Sequence, residues 1–165
     1  MAAEDFDGLY QASFGDVVAM VYALTGDLAD AQDLAQEAFC RAWQRWERIS
    51  TYDDPLAWVR RVAANLATSR WRRLATAARH LHRERRPEAP PLGPDHVALV
   101  TALRSLPERQ RRAVVLHHLL DLPVAEVARE LEVAPGTVKS WLHRGRVALA
   151  VQLADLPAAP EVSQP

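Results

Sequence analysis

The fold is decided by residues 121–146, which read DLPVAEVARELEVAPGTVKSWLHRGR. Apolar side chains recur there at helical spacing on both sides of one interruption, and they predict the facing sides of two helices. These inward positions are Val124, Val127, Ala128, Leu131, Val138, Leu142 and Gly145. Pro123 and Pro135 suit the first turns of the two helices, and Val133 fills the turn between them. A helix of about eight residues, a turn of three or four and a longer helix are typical of the DNA-binding helix-turn-helix.

The second helix of this pair has a surface suited to DNA. Between Glu132 and Asp155 the chain has no acidic residue. The predicted outward residues are Gly136, Thr137, Lys139, Ser140, His143, Arg144 and Arg146. Hydroxyls, the bare backbone at Gly136 and cations near a helix N-terminus can bind phosphates and base edges in a major groove. A plain helical hairpin within a core is the alternative, and the acid-free, cation-rich face favours DNA binding over it.

The rest of the chain also has helical spacing and no sustained strand-like alternation. Before residue 83 the pattern predicts a first helix that ends near Gly26, a second that Asp27 caps and a third over about residues 55–82. After the proline-rich stretch, helices are predicted over about 95–105 and 107–120.

These elements predict an all-α protein of two small helical domains, residues 1–82 and residues 95–154. Four prolines and one glycine make residues 83–94 a semi-extended linker, because they cannot sustain a helix. Residues 155–165 are expected to form a disordered tail.

Charge is distributed unevenly behind a net charge of −1. Residues 1–40 carry eight acids and no lysine or arginine, whereas residues 41–86 carry twelve arginines and four acids, a local charge of +8. An excess of this size predicts a phosphate-binding face, and the acidic segment is expected to avoid DNA and to suit a basic protein surface. Solvated helix faces are the alternative for both segments.

Several function classes are excluded by what the sequence lacks. No apolar stretch approaches the roughly 20 residues that span a bilayer, and the acidic N-terminus is unlike a secretory signal. The single cysteine, Cys40, excludes an internal disulfide framework, so a cytoplasmic location is expected. The paired histidines at 80/82 and 117/118 have the wrong spacing for a shared metal. There is no phosphate-binding glycine loop or nucleophile motif, so we expect no enzyme activity, metal or cofactor.

Two blocks of sequence resemble the extracytoplasmic-function (ECF) sigma factors. In the C-terminal half, LPERQRRAVVL at 106–116, LPVAEVA at 122–128 and GTVKS at 136–140 resemble region 4, which reads the −35 promoter element. In the N-terminal half, YALTGDLADAQDLAQEAF at 22–39 resembles region 2, and PLAWVRRVAANLATSRWRR at 55–73 resembles its promoter-melting helix. The blocks stand in the expected order. Among these factors, the chain is most similar to the actinobacterial SigE-like group.

The resemblance implies three partners. Core RNA polymerase would contact Asp33, Gln36 and Glu37 through its beta-prime clamp helices, and the second domain through its beta flap. Promoter DNA would lie against both domains. An anti-sigma factor is a further candidate, because many relatives are held by one. No membrane contact is expected.

The resemblance also implies a site for unpaired −10 bases in the first domain. The loop at Ser50, Thr51, Tyr52, Asp53 and Asp54 corresponds to the loop that pockets one base. Asn65 matches a position that helps to read the −10 element. The remaining candidates are the stacking aromatics and the cations that would follow the backbone: Trp58, Trp71, Arg60, Arg61, Arg70, Arg72 and Arg73. Trp43 and Trp46 are expected in the core, and Trp58 fits either role.

Two residues depart from the family pattern. Glu132 stands in the turn where glycine is common, so it is either strained at positive φ or the turn has relaxed. Trp141 stands where arginine is usual, and it belongs to the −35 set either by stacking on the DNA backbone or by packing inward.

The rival function is a stand-alone helix-turn-helix regulator that binds duplex DNA without polymerase. Such a regulator would need a dimer interface or a sensing domain, and the predicted elements leave no segment for either. A helical adaptor that binds only proteins would not use the arginine- and tryptophan-rich segment.

Overall fold

The computed structural model describes residues 2–77 and 93–154, and no strand occurs in these two segments. The elements in order are α1 (Ala2–Thr25), α2 (Leu28–Gln44), α3 (Trp46–Ile49), α4 (Pro55–Ala77), α5 (Pro94–Arg104), α6 (Glu108–Val114), a π-helical turn (Val115–Leu119), α7 (Val124–Leu131) and α8 (Pro135–Ala154). We call α1–α4 the first domain and α5–α8 the second domain. The all-α prediction is confirmed. Most of the predicted linker and all of the predicted tail lie outside the described residues.

The turn between α1 and α2 forms where the sequence predicts it. Gly26 has φ of 72°, a left-handed conformation that glycine adopts without steric cost and that ends α1. Asp27 then caps α2, because its Oδ1 accepts a hydrogen bond of 2.9 Å from the backbone N–H of Asp30. The two helices therefore pack as an antiparallel pair joined by a short turn.

An aromatic cluster fills one end of the first domain. The Phe6 ring lies 6.3 Å from that of Phe39 and 5.2 Å from that of Trp46, centroid to centroid. Trp46 is buried, as predicted, but the prediction that Trp43 lies in the core is wrong. Trp43 is 51% exposed and only covers the edge of the cluster, with its ring 5.0 Å from Phe6. Helical spacing places Trp43 on the side of α2 that faces the core, but α1 covers only part of that side.

A buried ion pair joins α2 to α4. The Asp30 side chain is only 2% exposed, and Arg70 donates to both of its oxygens, at 2.7 Å and 3.1 Å. Bidentate pairing with a guanidinium offsets the cost of burying a carboxylate. Arg70 therefore holds α4 against α2.

In the second domain, α6 packs against α8 at a point where only glycine fits. Gly145 is buried, and a Cβ added there would lie 2.7 Å from Val114 Cγ2. The helix predicted over 107–120 is not regular, since α6 gives way to the π-helical turn. Leu122 N–H bonds to the carbonyl of Leu116 at 3.2 Å, which closes this turn before α7.

Replacing Gly145 with alanine should destabilise the second domain by about 1 kcal/mol. The gain in helix propensity is outweighed by overpacking, because Val114 is itself buried and cannot move aside. Chemical denaturation, monitored through hydrogen exchange of the α8 amides, measures this loss of stability. The matched control is Gly136→Ala, where no atom lies within 4 Å of the added Cβ. A Gly145 variant as stable as this control would contradict the close packing.

The two domains pack on each other through α1, which contacts α5, α6 and the π-helical turn. Leu103 and Leu106 of the second domain belong to the same apolar core as Val21 and Leu24 of α1. Around this core, Arg104 Nη1 donates to the Tyr22 hydroxyl at 2.7 Å, and His96 Nε2 lies 2.5 Å from Asp16 Oδ1.

No helix in the described part of the chain is long and apolar enough to cross a membrane.

Candidate nucleic-acid interface

The helix-turn-helix forms from α7 and α8. The eight residues of α7 end at Leu131, with Glu132 as the capping residue, and the 20-residue α8 begins at Pro135. Val133 N–H bonds to the carbonyl of Ala128 at 3.0 Å and closes the turn. Val127, Ala128 and Val138 are buried between the helices, as their spacing predicts. This packing fixes the direction in which α8 projects from the protein.

Glu132 adopts the left-handed conformation that glycine would favour. Its φ and ψ are 56° and 46°, so of the two alternatives for this turn the structure has the strained one. The turn geometry typical of the motif is therefore kept without glycine, because the flanking helices and the Val133 hydrogen bond hold the backbone in place.

The outward face of α8 is polar and cationic. Of the residues predicted to contact DNA, Gly136, Lys139, Ser140, His143, Arg144 and Arg146 are exposed, and Thr137 is half-buried beside them. Trp141 is half-buried and packs against the core, which agrees with the inward alternative. No carboxylate lies on this helix. The face can thus approach a phosphate backbone without electrostatic repulsion.

The predicted base-pocketing loop is exposed at all five residues from Ser50 to Asp54. Three of its side chains already bond to the local backbone. Asp54 Oδ1 accepts from the Ala57 N–H at 2.9 Å and caps α4, Thr51 Oγ1 donates to the Arg48 carbonyl at 2.7 Å, and Ser50 Oγ donates to the Glu47 carbonyl at 3.4 Å. Tyr52 is 37% exposed. The loop is therefore held on the surface by its own hydrogen bonds, with Tyr52 and Asp53 outward.

The predicted −10 residues of α4 do not share one face. Asn65 and Arg73 are exposed, whereas Trp58 and Arg60 are half-buried, and Trp58 packs against the core. At about 100° per residue, Trp71 lies about 120° around the helix from Asn65. For Trp71 and Arg72 the structure gives the helix position only. The two helix positions therefore do not lie on one side of α4.

Two of the predicted DNA-binding arginines already have carboxylate partners. Arg70 pairs with Asp30 inside the first domain. Arg61 Nη2 donates to Glu126 at 3.1 Å and to Glu130 at 2.8 Å, and both glutamates belong to α7 of the second domain. Sequence reasoning missed all three acids, because the partners are 40, 65 and 69 positions apart and no local pattern joins them.

The predicted polymerase-binding residues share one exposed face of α2. Asp33, Gln36 and Glu37 all point outward. The Tyr10 hydroxyl donates to Gln36 Oε1 at 2.9 Å, and Arg41 Nε donates to Glu37 Oε1 at 2.7 Å. Gln36 thus connects this acidic face to Tyr10, whose ring packs on Phe39 of the aromatic cluster.

Among the described residues, no group of three histidines, cysteines or acids is placed to hold a metal ion. The rings of His117 and His118 meet edge to face, with centroids 4.7 Å apart and planes inclined by 70°, and His117 Nδ1 lies 2.7 Å from the carbonyl of Leu122. Burial lowers the pKa of His118, and His117 and Arg146 add to this effect. The pair therefore belongs to the π-helical turn, and His80 and His82 lie outside the described residues.

The all-α fold and the cationic helix-turn-helix of the second domain together indicate a nucleic-acid-binding protein. Family models agree and are more specific. Residues 9–77 match sigma-70 region 2, and residues 96–149 match sigma-70 region 4.

Individual relatives belong to the same family. The RNA polymerase sigma-E factor of Streptomyces coelicolor is 37% identical over 135 residues, which cover 79% of this chain and 75% of that protein. The ECF RNA polymerase sigma factor SigW of Bacillus subtilis is 28% identical over 171 residues, which cover 88% and 91%. The chain belongs to the sigma-70 family of RNA polymerase sigma factors, in its ECF group.

A solved structure shows the same fold. The sigma factor RpoE of Bartonella quintana, in complex with the anti-sigma factor NepR, has a TM-score of 0.60 to this chain at 23% identity. The match covers 93% of this chain and 99% of that one.

Proposed function

We propose that this sigma factor directs core RNA polymerase to promoters through two DNA contacts. In this proposal α8 reads the −35 element, and the first domain captures unpaired −10 bases and so helps to open the duplex. The observation that carries the proposal is the acid-free, exposed cationic face of α8 in a chain that matches both sigma regions. The domains would be residues 1–82 and 95–154, joined by the linker 83–94.

The proposed partners follow from these surfaces. Asp33, Gln36 and Glu37 would contact the beta-prime clamp helices, and the second domain would contact the beta flap. An anti-sigma factor is a further proposed partner, since the Bartonella quintana relative was solved in complex with one. The protein would act by binding rather than as an enzyme, in the cytoplasm where core polymerase and promoters are.

Run-off transcription with purified core polymerase on a genomic promoter library tests the proposal. We expect discrete transcripts that depend on both the protein and core. A stand-alone regulator would instead bind duplex DNA tightly by itself and would produce no transcript with core, and that result would overturn the proposal.

Reversing the charge at Asp33 and Glu37 to lysine should weaken association with core polymerase at least tenfold. Exposed helix carboxylates contribute little to stability, so the fold should survive, although the Glu37–Arg41 pair is removed. Fluorescence titration of labelled core polymerase with each variant measures the change in affinity. Glu47→Lys, an exposed acid on α3, is the control. Equal core affinity in the double variant and this control would remove the assignment of this face.

Replacing Lys139 or Arg144 with alanine should weaken promoter binding and flatten its salt dependence. Removing a cation that binds one phosphate should reduce the slope of log affinity against log salt by about 0.9. If one of the two reads a base instead, discrimination at one promoter position should relax by about 1–3 kcal/mol. Arg129→Ala, an exposed cation on α7, is the matched control. Wild-type slopes and specificity in both variants would contradict placing α8 on DNA.

A further inference from the structure

A groove lined by aromatic rings lies between α1 and α2 of the first domain. Phe6 and Tyr10 of α1 and Phe39 and Trp43 of α2 line it. Its volume is about 390 Å³, which is within the usual range of small-molecule sites, roughly 300–1,000 Å³. We call this feature the aromatic groove.

The rings of the aromatic groove differ in how much of each is accessible. Phe6 and Phe39 are buried, whereas Tyr10 is half-buried and Trp43 is 51% exposed. The Trp43 and Phe6 rings lie 5.0 Å apart, centroid to centroid, with their planes inclined by 56°. Since the rings are not stacked face to face, part of the indole face is available to a ligand. Among aromatic side chains, this face attracts cations most strongly.

The charge of the aromatic groove has one sign. Among the described residues that line it, Asp7 is an acid and none is a cation. The Asp7 side chain is exposed, and within the described residues its carboxylate has no ion-pair partner. The one arginine of α2, Arg41, is held by Glu37 at 2.7 Å. The groove therefore favours a positive ligand and repels an anion.

These features select a particular kind of cation. An ammonium or guanidinium group with several N–H donors needs several acceptors, and the groove offers few, because Gln36 Oε1 already accepts from the Tyr10 hydroxyl. A quaternary ammonium has no N–H donor, so ring faces and one carboxylate satisfy it. The chemistry of the groove thus fits a small organic cation with an apolar body.

The aromatic groove adjoins the face of α2 proposed to bind polymerase. Gln36 belongs to both, since its side chain lines the groove and lies on the exposed face with Asp33 and Glu37. A ligand in the groove would cover Gln36 and part of the Trp43 ring. Ligand and polymerase would therefore compete for the same surface.

We propose that the aromatic groove binds a small quaternary ammonium compound between Trp43 and Asp7, and that this ligand competes with core polymerase for Gln36. The ligand site depends only on the groove, whereas the competition rests on the proposed function. The groove would then make the availability of the sigma factor respond to a small molecule.

Nuclear magnetic resonance titration of the full chain with choline tests the ligand site. We expect saturable shifts of the Trp43 indole N–H and of the Gln36 and Gln44 side-chain amides. The uncharged compound of the same shape, 3,3-dimethylbutan-1-ol, should bind at least fivefold more weakly, because it lacks the attraction of the charge to the ring and the carboxylate. Equal binding of the two compounds would overturn the proposal.

Variants of the groove separate its two contributions. Trp43→Leu should weaken choline binding about fivefold and Trp43→Phe less, since phenylalanine keeps an aromatic face. Asp7→Asn should weaken it about threefold. The matched control is Asp5→Asn, an exposed acid about 200° around α1 from Asp7, which should bind choline as wild type does. Choline affinity unchanged in the Trp43→Leu and Asp7→Asn variants would contradict the site, and circular dichroism checks that each variant is folded.

Titration of labelled core polymerase tests the competition. At ten times its own Kd, choline should raise the apparent Kd for core about tenfold, relative to sodium chloride at the same concentration. If choline binds the chain but leaves core affinity unchanged, the competition is wrong. If choline does not bind and Trp43→Leu still weakens core binding, the groove belongs to the polymerase contact and the ligand proposal falls. Failure of run-off transcription would count against the proposed function alone, because the choline titration needs no polymerase.

Discussion

Replacing Arg70 with alanine should lower the free energy of unfolding of the first domain by about 3 kcal/mol. The variant leaves the Asp30 carboxylate, which is 2% exposed, without the guanidinium that binds both of its oxygens. For a domain of this size the change corresponds to a fall in Tm on the order of 15 °C. Tryptophan fluorescence during urea unfolding reports it well, because four of the five tryptophans precede residue 77.

A matched pair of variants identifies the cause. Arg73→Ala removes an exposed arginine from the same helix, where its Nε donates to the carbonyl of Ser69 at 3.4 Å, and should change stability by less than about 0.5 kcal/mol. Asp30→Leu combined with Arg70→Met should recover most of the stability, because an apolar pair needs no compensation for buried charge. A small effect of Arg70→Ala would mean that Asp30 is neutralised in another way.

The sequence alone does not reveal which arginines of α4 already have carboxylate partners. Residues 60–73 contain five arginines, and the sequence treats them as equivalent cations on a helix. The structure divides them according to partners far along the chain, since Arg70 pairs with Asp30 and Arg61 pairs with Glu126 and Glu130. Charge and periodicity describe one element at a time, so they cannot say which acid another element brings close.

Local features were predicted well where local physics decides them. The turn at Gly26, the cap at Asp27 and the buried positions of α7 and α8 each depend on residues within a few positions of one another. The π-helical turn at Val115–Leu119 was missed, because apolar spacing does not distinguish it from a regular helix over five residues. Trp43 was misplaced for a similar reason, since its exposure depends on how far α1 extends over α2.

Replacing Asn65 or Trp71 with alanine should each reduce promoter opening roughly tenfold while sparing the closed complex. Stacking or hydrogen bonding to an unpaired base contributes about 1–3 kcal/mol, and this contribution appears only after the strands separate. The two residues lie about 120° apart around α4, so their effects should be close to additive. Permanganate footprinting of unpaired thymines, with holoenzyme on a promoter found by run-off transcription, measures the open complex.

The loop that precedes α4 is tested in the same way, with one restriction. Asp54 caps α4, so its replacement would disturb the helix and confuse a structural defect with a defect in base capture. Replacing Tyr52 and Asp53 avoids this problem, because both are exposed and, within the described residues, no local hydrogen bond of their side chains holds the loop. The double variant should also lower opening without changing closed-complex affinity.

A premelted bubble template supplies the control that separates capture from folding. On such a template the variants should recover most of their activity, because strand separation no longer has to be driven by binding of the released bases. Ser69→Ala, an exposed polar position one turn after Asn65, should open the duplex promoter as well as wild type. If Asn65→Ala and Trp71→Ala also open it as well as wild type, the two residues are structural and the −10 site lies elsewhere. If the activity of these variants stays low on the bubble template, the defect precedes melting. The Lys139 and Arg144 variants, which act on the closed complex, show what such an early defect looks like.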